Sequence, residues 1–376
     1  MSETYSIYNL SNTKHHTHRT SYLDESVDIQ RFDTMRYPKI HEHMLKQLGY
    51  IWTPEETRLE RDQIDYKNAP PEITKKFDMI LSRQALMDSV QGRGPSMALG
   101  PIASLPEVEG FLNVWTTFEG PIHSRSYTHM IKNVYPDPGI IFDHINDNKF
   151  VVSAANHIAK YYNALIEYNC LTMNGTRYGT KHSKLEHARR LLRCLAAINA
   201  LEGIWFTNSF VVTWNWQQND SYKMFEGSAK ILKQIAQDEM LHCTFVSWQL
   251  RDIPKESALF EQAFNDVKDE LVEIYVTSAQ LEKEFSSQLC ETGPVLGVNE
   301  TILHDYIDFR AASTCKAAGL KYPKKVPSKD PVPWTRFWYN TGKEQAALQE
   351  TENAEYQHGI IDTSIDVATI AELGRI

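Results

Sequence analysis

Pairing is absent from the cysteines of this 376-residue chain. The five thiols, Cys170, Cys194, Cys243, Cys290 and Cys315, include no Cys-x-x-Cys spacing. Their odd number and scatter argue against a disulfide framework and for reduced thiols in a cytoplasmic protein. Basic character is lacking too: a net charge of −9 leaves no cationic face for nucleic acid. No stretch approaches the roughly 18 apolar residues of a membrane span, and the polar N-terminus has no apolar leader core. Neither membrane insertion nor secretion is expected. There is no glycine-rich phosphate loop and no repeat of solenoid period.

Helical periodicity is what the chain has in abundance, from about Tyr37 to Arg336. Ile73, Phe77, Ile80, Gln84 and Asp88 follow one helical stripe that ends at Gly92-Arg93-Gly94-Pro95. A second helix opens near Ser104-Leu105-Pro106, with Ser104 as its expected cap and Pro106 in its first turn. Its stripe runs Val108, Phe111, Leu112, Trp115, Glu119. Further helices are predicted over Asn148–Leu171, Ser183–Trp214, Ser221–Leu250, Lys255–Leu289 and Asn299–Ala318. The expected fold class is all-α. Residues 1–30, which include Lys14-His15-His16-Thr17-His18, are polar and aperiodic and read as a flexible arm. Residues 31–340 read as the helical domain, and 341–376 as a flexible polar tail.

Six acids and histidines fall in helical settings: Asp88, Glu119 with His123, Glu202, and Glu239 with His242. In Glu239-Met-Leu-His242 the two ligands are three residues apart and share a helix face. Four helices meeting around such groups make a two-metal carboxylate site. The segment Ala200–Phe210 is apolar nearly all round, so Glu202 sits on a buried helix. A buried carboxylate must be paired, protonated or metal-bound. Phe206 and Phe210 lie four and eight residues beyond Glu202, and Ile235 lies four before Glu239, so these three are the expected apolar wall. Asp238 is placed to orient a histidine by hydrogen bonding. Carboxylates with one imidazole per metal suit iron or manganese rather than zinc. Tyr127, four residues past His123, puts an oxidisable side chain nearby. On these residues alone a radical generator, a di-iron oxidase with its own substrate and an iron-storing bundle all stay open.

Several strings narrow this. They are Leu86-Met-Asp88-Ser-Val-Gln-Gly-Arg-Gly-Pro95, Ile122-His123-Ser-Arg-Ser-Tyr127-Thr-His129, Asn199-Ala-Leu-Glu202, Ile235-Ala-Gln-Asp238-Glu239-Met-Leu-His242 and Pro331-Val-Pro-Trp334. Together with Trp52-Thr-Pro-Glu-Glu56 and Tyr356, they resemble the radical-generating small subunit of class Ia ribonucleotide reductase. The resemblance implies a ferritin-like bundle, a homodimer, and two iron ions held by Asp88, Glu119, His123, Glu202, Glu239 and His242. The same ligand set accepts manganese. It further implies that Tyr127 is oxidised to a neutral radical by dioxygen, with an external electron donor. Trp52 and Asp238 would begin a path to Tyr356 and on to a cysteine of the large subunit. The tail from Gly359 onward would dock there.

One spacing departs from that family. Its Glu-x-x-His is here Glu119-Gly-Pro-Ile-His123, one residue longer. Glu119 keeps register with Trp115 and Val108, so the extra residue falls after it. On a regular helix it would rotate His123 and Tyr127 by about 100°. A local widening absorbs such a residue, and Pro121 cannot donate to the carbonyl of Thr117. The sequence therefore predicts a bulge or kink within residues 117–123 that keeps both ligands. The tail also departs, with Gln-His after Tyr356, and Gln237 stands where the family commonly has arginine.

Overall fold

Proline and short polar caps set the helix boundaries. In the computed structural model, Pro38, Pro71 and Pro106 open α1 (Pro38–Leu48), α3 (Pro71–Gln91) and α5 (Pro106–Thr117). Side-chain oxygens of Asn148, Ser183, Ser257 and Asn299 accept first-turn amide hydrogens of α8 (Lys149–Met173), α9 (Lys184–Ala200), α12 (Ala258–Cys290) and α13 (Glu300–Ala317). The remaining helices are α2 (Glu60–Asn68), α4 (Gly94–Leu99), α6 (Arg125–Val134), α7 (Gly139–Phe142), α10 (Thr207–Gln218), α11 (Glu226–Asp252) and α14 (Arg336–Tyr339). The structure describes residues 6–176, 178–179, 182–218, 223–291, 293, 295 and 297–339. The helices up to Trp338 form one compact unit, and Tyr339–Ile376 fall in a second. Among the described residues no strand forms beyond the isolated bridges Tyr22–Ala103 and Val295–Val298.

Ser104 does not cap α5. Leu105 occupies the cap position, and the Ser104 hydroxyl instead accepts the Asp24 amide at 3.0 Å. That contact belongs to a larger correction. The arm expected to be flexible is laid against the bundle from His16 onward, with Tyr22 fully buried. Glu256, beyond the end of α11, accepts the Ser21 amide at 2.8 Å, the Ser21 hydroxyl at 2.6 Å and the Tyr37 hydroxyl at 2.8 Å. Arg19 donates to the carbonyls of Lys14 and Ser26. Polar side chains binding backbone groups need no periodicity, which is why the pattern misleads here. The tail, including Glu350 and Tyr356, lies outside the described residues.

The long helices α8, α9, α11 and α12 pack together around the core, with α3 and α5 closing it. Within Lys184–Gln218 an 18-residue window is apolar enough to span a membrane by composition, yet that window is buried inside the bundle. Its apolarity therefore reflects a core position. The N-terminus of α11 is fixed from outside: Phe225 takes a left-handed conformation (φ 58°), and Asp62 of α2 accepts the amides of Gly227 and Ser228 at 2.9 and 2.6 Å. Helix α11 thus enters the core in a set orientation, carrying Asp238, Glu239 and His242 to its centre.

Candidate metal centre

Two breaks in helical regularity bring the six groups together. Phe118–Ser124 is a π-helical turn between α5 and α6, with Pro121 inside it. This is the widening that the longer Glu119–His123 spacing predicts, and it keeps both side chains inside the bundle. The Ser124 hydroxyl donates to the Glu119 carbonyl at 3.2 Å, satisfying an oxygen in the altered ladder. A second π-turn, Leu201–Trp205, carries Glu202 between α9 and α10. Nothing in the periodicity announces it, because a segment apolar on every side has no register to break. Gly203 was the available signal: a Cβ there would stand 2.5 Å from the Thr314 hydroxyl oxygen.

Asp88 from α3, Glu119 and His123 from the first π-turn, Glu202 from the second, and Glu239 with His242 from α11 are all buried. They form two overlapping clusters. Asp88, Glu119, His123 and Glu239 make one; Glu119, Glu202, Glu239 and His242 make the other. Glu119 and Glu239 belong to both. His123 Nδ1 lies 3.4 Å from Glu239, 3.5 Å from Glu119 and 3.9 Å from Asp88. His242 Nδ1 lies 3.0 Å from both Glu119 and Glu239 and 3.6 Å from Glu202. Ligand atoms about 2.1 Å from a common ion stand no more than about 4.2 Å apart, so these separations suit a shared cation.

Electrostatics make the same case. Burial, reinforced by Glu119 and Glu239, raises Asp88 well above the usual carboxylate range. Burial and Glu239 do the same to Glu202. Burial alone would raise Glu239 too, but the neighbouring Glu202, His123 and His242 side chains hold it low. Burial opposes a charge on His123 and His242, yet their carboxylate partners raise both. Without a cation the centre must hold protons to survive burial. Both Asp88 oxygens, one oxygen each of Glu119, Glu202 and Glu239, and His123 Nδ1 have no hydrogen-bond partner among the described residues. Such orphaned, converging donors are what two divalent cations satisfy, and the residues fit a two-metal centre.

Outer contacts fix the ligands. Asp238 Oδ2 lies 3.1 Å from His123 Nε2 and accepts the Trp52 indole N–H at 2.9 Å. Trp52, Asp238 and His123 therefore form one continuous chain. The Gln47 amide nitrogen lies 2.6 Å from His242 Nε2 and holds the ring with Nδ1 turned towards Glu119 and Glu239. The Trp115 indole donates to Glu119 at 2.9 Å and stacks on His242 at 4.9 Å. Gln91 donates to Glu202. Periodicity finds Trp115, but not Gln47 or Gln91, whose partners lie far away in sequence. Tyr127 is fully buried, and its hydroxyl has no partner among the described residues. Burial first, then the charges of Asp88 and Glu239, push its pKa well above that of an ordinary phenol. Phe206, Phe210 and Ile235 are buried in the adjoining helices.

A helical bundle with two carboxylate–imidazole clusters sharing two glutamates defines a ferritin-like di-metal protein. A family model described as "Ribonucleotide reductase, small chain" matches residues 30–330. A ribonucleoside-diphosphate reductase subunit beta of Buchnera aphidicola subsp. Baizongia pistaciae is 35% identical over 368 residues, covering 94% of this chain and 96% of its own. The ribonucleotide reductase R2 subunit from Clostridium botulinum aligns with a TM-score of 0.71 at 21% identity, covering 89% of this chain and 98% of its own. The dimanganese(II) NrdF of Streptococcus sanguinis gives 0.64 at 16%, covering 85% and 100%. These two structural likenesses speak to fold. The chain belongs to the ribonucleotide reductase small-chain family.

Proposed function

We propose that this chain stores a one-electron oxidant on Tyr127 and passes it to a large subunit that reduces ribonucleoside diphosphates. Asp88, Glu119, His123 and Glu239 would hold one iron ion, and Glu119, Glu202, Glu239 and His242 the second. Two such ions supply, with dioxygen and an external electron donor, the oxidising power that tyrosine oxidation needs. The same hard oxygen-rich set suits manganese.

The protein's own residues do the rest. Oxidising Tyr127 removes one electron and the hydroxyl proton, leaving a neutral phenoxyl. Asp88 is the carboxylate that acts most strongly on that hydroxyl, and it is placed to take the proton. Complete burial keeps water and reductants away from the radical, and Phe206, Phe210 and Ile235, all buried, would supply the apolar wall of the site. Trp52, hydrogen-bonded through Asp238 to His123, offers the way out. Asp238 holds the indole N–H while keeping the imidazole oriented. Tyr356, in the tail that docks on the large subunit, would take over from Trp52, and the working small subunit would be a homodimer.

The carrying observation is the Trp52–Asp238–His123 chain leading away from a di-metal cluster beside a buried tyrosine. Trp52→Phe removes the indole N–H and its redox reach but keeps an aromatic side chain. Turnover with the large subunit should fall about 10- to 100-fold, the order lost when an outer partner of a metal site is removed. The variant should still bind two metal ions per chain. Wild-type turnover in Trp52→Phe would remove that path.

A further inference from the structure

A second hydrogen-bonded chain leaves the centre on the side away from Trp52. Gln91, the last residue of α3, is fully buried three residues after Asp88 and so lies on the same helix face. Asp88 belongs to the first cluster, whereas the Gln91 side chain reaches the second, where its amide N–H donates to Glu202 Oε1. Its carbonyl oxygen accepts the Tyr162 hydroxyl of α8 at 2.7 Å. Tyr162 is 3% exposed, and its ring occupies the space that a side chain at position 94 would need. A Cβ on Gly94 would stand 2.3 to 2.7 Å from three of its ring carbons. With Glu202 ionised on a metal the polarity of this chain is set, because reversing the amide would place its oxygen against a carboxylate oxygen. Phenol donates, amide relays, carboxylate accepts.

The consequence concerns how Glu202 binds. With Oε1 committed to Gln91, the oxygen left over is Oε2, which has no partner among the described residues and lies 3.6 Å from His242 Nδ1. The geometry points to Gln91 and Tyr162 as positioning residues that hold Glu202 to one-oxygen coordination of the second metal. Glu202 belongs to the second cluster only. Loss of the chain therefore acts on one metal position and spares the other, which a general packing defect does not do. This rests on the two-metal reading given above.

Manganese(II) binding to the full chain, followed by calorimetry and by the metal's electron spin resonance, tests the assignment. Tyr162→Phe deletes one hydroxyl, and Gln91→Met keeps volume while deleting the amide. Each is combined with Asp88→Asn, which cripples the first cluster, and separately with Glu202→Gln, which cripples the second. The expected result is affinity weakened about tenfold in the Asp88→Asn background, the scale of an outer-partner loss. In the Glu202→Gln background affinity should stay within twofold. Equal weakening in both backgrounds, or no change in either, overturns the assignment while leaving the two-metal reading intact. A wild-type chain that binds no manganese overturns that reading and the assignment with it.

Discussion

Tyr127 and Tyr162 are both phenols buried beside carboxylates, and their hydroxyls are used differently. Tyr162 donates to Gln91, whereas the Tyr127 hydroxyl has no partner among the described residues. On the proposals made above, the first holds a ligand in place and the second, beside Asp88, gives up its proton on oxidation. Burial acts on histidines away from the centre as well. His187 lies between the Tyr178 hydroxyl (2.9 Å) and Asn169 Oδ1 (2.8 Å), and burial, then His182 and Arg190, depresses its pKa to about 3. The folded protein therefore keeps this ring neutral where an unfolded chain would charge it. Below the ordinary histidine pKa of about 6.5 the unfolded state binds the extra proton, so stability is present above that pH and is lost as pH falls towards 3. Denaturant unfolding should show His187→Gln losing roughly 2 kcal/mol less than wild type between pH 6 and pH 4. Equal losses would mean that the ring titrates normally.

At the scale of elements, the first π-turn was legible and the second was not, for one physical reason. Glu119 keeps register with Trp115 and Val108, so the one residue by which Glu119–His123 exceeds the Glu-x-x-His of the family it resembles can be placed after Glu119. Around Glu202 every side chain is buried and no stripe exists to be displaced. Helix ends were legible where a short polar side chain stands at the cap, as at Asn148 and Asn299. Ser104 misled because its hydroxyl serves the Asp24 amide of the N-terminal segment. Asp62 and Asp65, which serve the start of α11 from α2, could not be matched to it from sequence. The first π-turn also makes a prediction. If it only absorbs one residue, deleting Pro121 should restore a regular helix and preserve two bound metals per chain. Inserting an alanine after Pro121 should instead turn His123 and Tyr127 by about a further 100° and abolish metal binding. Metal analysis of the two purified variants reads this directly, and loss of metal in the deletion variant would contradict it.

For the molecule as a whole, the bundle holds six candidate ligands from two long helices and two π-turns so that removal from water, not contact with it, governs their chemistry. The fold class and the six-residue set were readable because each ligand sits on an apolar face. The outer contacts through Gln47 and Gln91 were not, since they join residues 195 and 111 positions apart in the chain. On the proposed function, this enclosure puts an oxidising two-metal centre next to Tyr127 and keeps the resulting radical. Electron spin resonance of the chain loaded with iron(II) and exposed to air tests it most directly. The wild type should show an organic radical signal, and Tyr127→Phe should bind the same iron and show none. A signal unchanged in Tyr127→Phe, or no signal from wild-type chain holding two irons, would contradict the account.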